Sequence, residues 1–252
     1  MPRLVLCLLL VVIGCGRPGA DEASDPADNA SALNTLTADE AADGWRLLFD
    51  GQTTEGWRNF KSEDVGPQWQ VEDGTLTLTE AGGGDIVTEE TFENFELVLE
   101  WKIAEGGNSG IFFNVVESDA YATVFETGPE YQLLDDERAA DNEDPTHRAG
   151  ANYDLHAPSE DVVRPAGAWN TTRIVVNDGR VQHYLNGTKI VDYELWTDAW
   201  REAVANSKFA EMEGYGRARS GHIALQDHGD RVWFRNIKIR PLSDEQAAPD
   251  DA

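Results

Sequence analysis

Between Asn94 and Ile103 the chain reads NFELVLEWKI, with Phe95, Leu97, Leu99 and Trp101 at every second position. A period of two is the signature of a strand that buries one face. The pattern recurs in QWQVEDGTLTL, SGIFFNVV, PEYQLLD, WNTTRIVVNDGRVQHYLNG and SGHIALQDHGDRVWFRNIKI. Asp73-Gly74, Asp178-Gly179 and Asn186-Gly187 stand between such runs, where a hairpin turn needs residues that tolerate positive φ. Helical character is confined to about Asp198 to Phe209, and there is no internal repeat. Short antiparallel strands with tight turns predict an all-β fold. The expected form is a two-sheet antiparallel jelly-roll sandwich with a short helical excursion.

The ends follow other rules. Arg3 followed by the apolar run Leu4 to Ile13 has the form of a signal peptide, too short to span a bilayer. In VIGCG, small Gly14 before Cys15 resembles a bacterial lipobox, so residues 1–14 are expected to be removed and Cys15 lipidated. The plainer alternative is an ordinary secretory signal that contains a cysteine. Residues 15–42 are Ala, Asp, Ser, Glu and Asn with few large apolar side chains, a composition expected to form an acidic flexible tether. The domain is expected over 43–242, and the polar stretch 243–252 as a loose tail. With Cys7 removed and Cys15 lipidated, no thiol remains for disulfides, metal sites or nucleophilic chemistry. The expected location is the cell envelope, lipid-anchored, facing the periplasm or the outside.

Charge narrows the partners. The net charge is -27, from 47 acidic and 20 basic side chains, and only five of the basic ones are Lys. Such a field opposes binding to nucleic acid or an anionic membrane surface. An acidic, Lys-poor surface suits high salt, where screening removes self-repulsion.

GWRLLFDG, GNSGIFFN, EYQLLDDE, HRAGANYDLHAP, WNTTRIVVNDGRVQHYLNG and SGHIALQDHGDRVWFRNIKIR, in this order, resemble the 3-keto-disaccharide hydrolase domain family over roughly Asp43 to Leu242. The resemblance implies a concanavalin A-like (laminarinase-like) sandwich. It also implies cleavage of glycosides or disaccharides whose sugar has first been oxidised to a ketone at C3. A C3 ketone acidifies the C2 hydrogen. One base then generates an enolate, whose collapse expels the substituent on C1. Such an enzyme needs a base near C2, donors for the enolate oxygen and an acid for the leaving oxygen.

Alternation places Glu130, Gln132 and Leu134 on one face of EYQLL. Laminarinase-like enzymes carry carboxylates on alternate residues there, so Gln132 and Leu134 disfavour the two-carboxylate mechanism. Glu130 is left as base or as an orienting hydrogen-bond partner. In SGHIALQDH, Ile223 and Leu225 face the core, and His222, Ala224, Gln226 and His228 face the other way. Gln226 is expected to bind sugar and His228 to move a proton, since a His pKa lies near neutrality. His222 at the strand start is equally suited to a structural bond, and Asp227 to capping the turn.

His147 and Arg148 follow a long acidic loop; His147 is expected as base or leaving-group acid and Arg148 as an enolate or carboxylate contact. Tyr153 is a candidate to stack on a sugar face. Asn114, Arg173 and His183 are further candidate substrate contacts, with Arg173 and His183 expected on one hairpin facing the groove. Asn108 is placed with them, His156 and Trp200 are assigned to structure, and Trp196 is either groove wall or core. The loop acids Asp135, Asp136, Glu137, Asp141, Asn142 and Asp144 supply oxygen ligands compatible with Ca²⁺, although they lack the EF-hand spacing, and a solvated charge run is the simpler reading. Three function classes follow: an enzyme on 3-keto sugars, a non-catalytic carbohydrate-binding module, or a surface structural domain. Proton-active groups on one face favour the first.

Overall fold

The computed structural model describes residues 33–242, so Cys15, the leader and the tail lie outside the described residues. The alternating runs are the strands expected. In order they are β1 (Arg46–Leu47), β2 (Trp57–Asn59), β3 (Trp69–Glu72), β4 (Thr75–Leu78), β5 (Ile86–Thr88), β6 (Phe95–Ile103) and β7 (Asn108–Val115). They continue as β8 (Glu130–Leu134), β9 (Asn170–Asn177), β10 (Arg180–Leu185), β11 (Thr188–Glu194), β12 (His222–Leu225) and β13 (Val232–Pro241). One sheet has eight strands, in the order β11-β10-β9-β6-β13-β4-β3 with β1 also on β13; the other has five, β2-β5-β12-β7-β8. Every pairing is antiparallel.

The period-two side chains meet between the sheets. Leu97, Leu99 and Trp101 of the larger sheet share one core with Ile111, Phe113, Leu133, Ile223 and Leu225 of the smaller. Fully burying each such side chain stabilises the fold by about 1.5–3 kcal/mol. The indole N–H of Trp101 donates to Thr172 Oγ1 at 2.9 Å, so this large ring is buried without an orphaned donor. The three hairpin dipeptides all have positive φ at both residues, 49° and 75° at Asp73-Gly74, the geometry of a two-residue primed turn. The excursion is the helix α2 (Asp198–Ala205), capped by Thr197 and ended at Asn206 rather than reaching Phe209.

The domain begins earlier than composition suggests. Residues 34–42, read as part of the tether, are packed onto the larger sheet, against β13 and the β3–β4 turn. Asn34 is 6% exposed. Its backbone N–H donates to Asn236 Oδ1 at 2.7 Å, its Oδ1 accepts from Asn236 N at 2.8 Å, and its Nδ2 donates to Gly74 O at 2.8 Å. A short helix, α1 (Ala38–Ala42), follows, with Thr37 and Glu40 forming a reciprocal capping box and Glu40 ion-paired to Lys238. Polar groups find partners across the chain here, so order arises without the apolar burial that composition measures.

Asn34→Ala should therefore destabilise the domain by about 1–3 kcal/mol, the cost of leaving buried polar partners unsatisfied. Urea unfolding read by tryptophan fluorescence checks this; an unchanged midpoint would place residue 34 outside the cooperative fold.

Candidate active site

The outer face of the smaller sheet collects the polar side chains that the core excludes. Register aligns Val87, Ala224, Phe112 and Glu130 across β5, β12, β7 and β8. One step along the strands, Gly110 lies opposite Gln132 and accepts the Gln226 backbone N–H, with Asp85 just before β5. Val87, Phe112, Val115 and Ala224 form a small second cluster on this face with Val124, while Ile223 and Leu225 point into the core. Glu130 and Gln132 of β8 lie on this face, opposite Phe112 and Gly110, and Gln226 follows the end of β12 beside Gly110.

Glu130 is the centre of this face. It is 5% exposed, and its carboxyl oxygens have no hydrogen-bond partner among the described residues. Its carboxyl lies over Gly110, where an added Cβ would be 2.2 Å from Glu130 Oε1. Burial raises its pKa to about 8; Lys208 opposes the shift, while Asp85 and Asp141 add to it. Asp85 is raised to about 6, again chiefly by burial, with the Asp227 backbone N–H opposing, the Asp227 charge adding and His228 opposing. Around them are unspent amides. Gln132 Nε2 donates to Asn108 Oδ1 at 3.0 Å, while Gln132 Oε1 and Gln226 Oε1 are buried and lack donors.

His147 takes a different place from the one expected. Its Nδ1 is 2.8 Å from Asp141 Oδ1 and its Nε2 is 3.2 Å from Asp154 Oδ1, so neither ring nitrogen is free for substrate. Burial acts against its charged form, but the bonds to Asp141 and Asp154 outweigh it and the pKa is raised. Asp141 also accepts from the Tyr153 hydroxyl at 2.7 Å. Tyr153 stacks on His147 at 4.3 Å and carries the Lys208 ammonium 3.9 Å from its ring centroid. Two groups so close to one ring occupy opposite faces, so Tyr153 has no face left for a sugar. His147 and Tyr153 form a brace beside Glu130 rather than a free base and a stacking platform.

Four other expectations are corrected. Arg148 turns away into a separate recess with Asp136, Pro145 and Pro158, where its Nε donates to Asn142 O at 3.4 Å. Arg173 and His183 do not share a face. Register sets Arg173 opposite Tyr184, on the outer surface of the larger sheet, where it pairs with Glu96; His183 lies opposite Ile174, buried. His183 Nδ1 is 3.0 Å from Gly150 O, and burial lowers its pKa to about 4. Asn114 sits at positive φ, wholly buried, with Nδ2 donating to Ala218 O at 3.2 Å.

His228 is exposed at the rim beyond β12, close enough to Asp85 to affect its ionisation. His222 is structural, with Nδ1 2.7 Å from Thr88 O. Asp227 caps the loop before β5, accepting from Gly82 N and Gly84 N at 2.9 Å each. The loop acids proposed for Ca²⁺ are spent on separate turns. Asp135 accepts from Gly106 N, Asp136 from Ala149 N and Asp144 from Thr146 N, and no metal-holding group of three or more such side chains exists among the described residues.

Sequence reasoning missed Lys208, Asp154 and Asp85, and named Asp141 only as an oxygen ligand. The run Gly82-Gly83-Gly84 before Asp85, a flexible loop feeding a strand, was the one available signal for Asp85. Lys208 reaches the site through irregular chain after α2, which no periodicity reports.

The sequence model of the 3-keto-alpha-glucoside-1,2-lyase-like domain matches residues 44–240. This chain belongs to that family. It is 34% identical over 242 residues to a 3-keto-disaccharide hydrolase of Bacteroides thetaiotaomicron, covering 84% of this chain and 83% of the relative. A provisionally named glycosyl hydrolase of Parabacteroides distasonis, known from a crystal structure, superposes with TM-score 0.79 at 37% identity over 84% of this chain and 100% of its own. A second such protein from that organism gives TM-score 0.61 at 29% identity, over 79% and 99% of the two chains. Membership of the family makes this a glycoside-acting enzyme built on a two-sheet sandwich.

Gly110 is the contact that most directly sets the Glu130 carboxyl. Gly110→Ala places a methyl where that carboxyl lies, in a backbone conformation open to alanine. It should leave secondary structure intact by circular dichroism and reduce turnover by about 10²-fold or more, as misplacement of a reacting group does. Wild-type turnover would show that the carboxyl position is immaterial.

Stability should also report the buried carboxyl. Because the folded pKa of Glu130 is raised from 4.5 to about 8, its contribution to stability is fully present below pH about 4.5 and lost as pH rises through about 8. Glu130→Gln cannot ionise, so this variant should gain stability over the wild type above pH 8 and show a flatter stability profile between those values. Parallel profiles would contradict the shift.

Proposed function

We propose that this enzyme cleaves glycosides or disaccharides bearing a ketone at C3, by removing the C2 proton and eliminating the group on C1. The observation that carries this reading is the buried Glu130 carboxyl, which has no hydrogen-bond partner among the described residues, with an amide, Gln132, two residues along the same strand face. A base with pKa near 8 is matched to the acidified C2 hydrogen of a keto sugar near neutral pH. The relative's name, 3-keto-disaccharide hydrolase, supports the same substrate class.

In this scheme the Glu130 carboxylate takes the proton from C2, and the C–H electrons pass into the enolate oxygen at C3. Lys208 supplies positive charge beside Glu130, and the amides of Gln132 and Gln226 orient hydroxyls and the enolate. Reforming the C3 carbonyl creates a C1–C2 double bond and expels the C1 oxygen, which takes a proton from the Asp85 and His228 end of the face. Water adding across that double bond then completes net hydrolysis. The raised pKa of Asp85 favours one alternative, conventional two-carboxylate hydrolysis by Glu130 and Asp85.

Turnover of a 3-keto-glucoside in D₂O separates them. Elimination followed by addition of water places deuterium at C2 of the released 3-keto sugar, and a C2-deuterated substrate should react more slowly. Glu130→Gln should lower kcat by about 10²–10⁴-fold while the keto sugar still binds. Cleavage of unoxidised glycosides at comparable rates, with no isotope at C2, would establish the two-carboxylate route. Binding without any cleavage would make the domain a carbohydrate-binding module.

A further inference from the structure

The row of residues that carries Gln132, Gly110, Gln226 and Asp85 extends one strand further. The Phe60 backbone N–H donates to Asp85 O at 2.9 Å, so Phe60 stands opposite Asp85 just past the end of β2. Trp57 and Ile86 point into the main core, and side chains alternate from there, so Phe60 and Asp85 both point outward. The packing agrees: Phe60 lies against the outer cluster of Val87, Phe112 and Ala224. Across the sheet the order is Gln132 on β8, Gly110 on β7, Gln226 after β12, Asp85 before β5 and Phe60 after β2. Neighbouring strands lie about 4.8 Å apart. The Glu130 carboxyl, over Gly110, therefore stands on one side of this row's centre, and Phe60 lies beyond Asp85 on the other.

The chain on both sides of Phe60 is fixed. Glu117 takes the Arg58 guanidinium through both oxygens, at 2.7 and 2.5 Å, and accepts the Lys61 backbone N–H at 2.5 Å. Asn59 ties the same turn to the glycine loop that carries Asp85, donating from Nδ2 to Gly83 O and accepting from Gly66 N. Lys61 holds a left-handed φ of 60°, which turns the chain away directly after Phe60. Phe60 nevertheless stays partly exposed, and no other aromatic ring packs on it among the described residues. The exposed Lys61 ammonium stands 5.7 Å from its centroid, at the outer limit of a cation–π contact. An aromatic side chain held in place, partly uncovered and in line with the polar groups of the active face has the properties of a ligand platform.

We propose that Phe60 is the platform for the leaving sugar of a disaccharide substrate, and so determines specificity for the size of the leaving group. This rests on the reaction proposed above. There the keto sugar lies between Glu130 and Asp85, and its C1 oxygen takes a proton at the Asp85 end. The group attached through that oxygen then extends over the next strand, where Phe60 stands. The C–H face of a pyranose is apolar and packs on the Phe60 ring. Its hydroxyls meet the Lys61 ammonium, which has no carboxylate within ion-pair distance among the described residues. A methyl group on the C1 oxygen is too small to reach the ring.

The test is kcat/KM of the full chain for 3-keto-trehalose beside methyl 3-keto-α-glucoside, in the wild type, Phe60→Ala and Phe60→Leu. Both variants should lose about tenfold on the disaccharide, the scale of one stacked contact, and stay within about twofold of the wild type on the methyl glycoside. Phe60→Trp should keep its activity on the disaccharide. Leucine preserves apolar contact with Val87 and Ala224, and circular dichroism checks that each variant folds. Unchanged kinetics on the disaccharide in folded Phe60→Ala and Phe60→Leu, or equal losses on both substrates, overturns the proposal. If the wild type cleaves only unoxidised glycosides, the same ratio is read on trehalose and methyl α-glucoside. A selective loss on trehalose then refutes the keto-sugar reaction and leaves the platform standing. If it cleaves neither, the Kd values for those two sugars replace the rates, and equal values in the wild type and Phe60→Ala overturn the platform.

Discussion

A carboxyl held largely out of water is the constraint on which the rest of this site depends. Charging Glu130 costs free energy in that environment, and no hydrogen bond among the described residues offsets the cost. The residues around it can be understood by how they manage this. Gly110 provides the volume into which the carboxyl folds. Lys208 partly compensates the charge without contacting it in an ion pair. Asp85 and Asp141 act in the opposite sense, so a group that is a weak base in water becomes a stronger one here.

The brace beside Glu130 follows the same logic. His147 sits between Asp141 and Asp154 and ties two loop carboxylates together. Asp141 in turn fixes Tyr153, whose backbone N–H donates to the Glu130 carbonyl at 3.1 Å. Lys208 reaches over the other face of Tyr153, while its own backbone N–H is held by Asp154 at 2.8 Å. One histidine therefore helps position the acidic residues, the aromatic ring and the cation. This is the arrangement expected of groups that support a reacting side chain rather than react themselves.

What the sequence made legible was whatever depends on period two alone. Alternation assigned Glu130, Gln132, Ala224 and Gln226 to outward faces and Ile223 and Leu225 to the core without any tertiary information. The hairpin dipeptides were equally local. Register was not local: Arg173 and His183 occupy neighbouring strands, and only the pairing of Arg173 with Tyr184 and His183 with Ile174 shows that they face opposite ways. Asp141, Asp154 and Lys208 come from irregular chain, where no repeat reports direction. The stretch Asn34 to Ala42 was misread because its order comes from hydrogen bonds and an ion pair to Gly74, Asn236 and Lys238, partners about 40 to 200 residues distant.

Burial holds the Glu130 carboxyl protonated well above the usual carboxylate range. The direct measurement is a ¹³C-carboxyl NMR titration of glutamate-labelled protein, with the Glu130 resonance identified by its loss in Glu130→Gln. A midpoint near 8 is expected for that resonance. A midpoint between about 4 and 5, the ordinary range of a solvated glutamate, would contradict it.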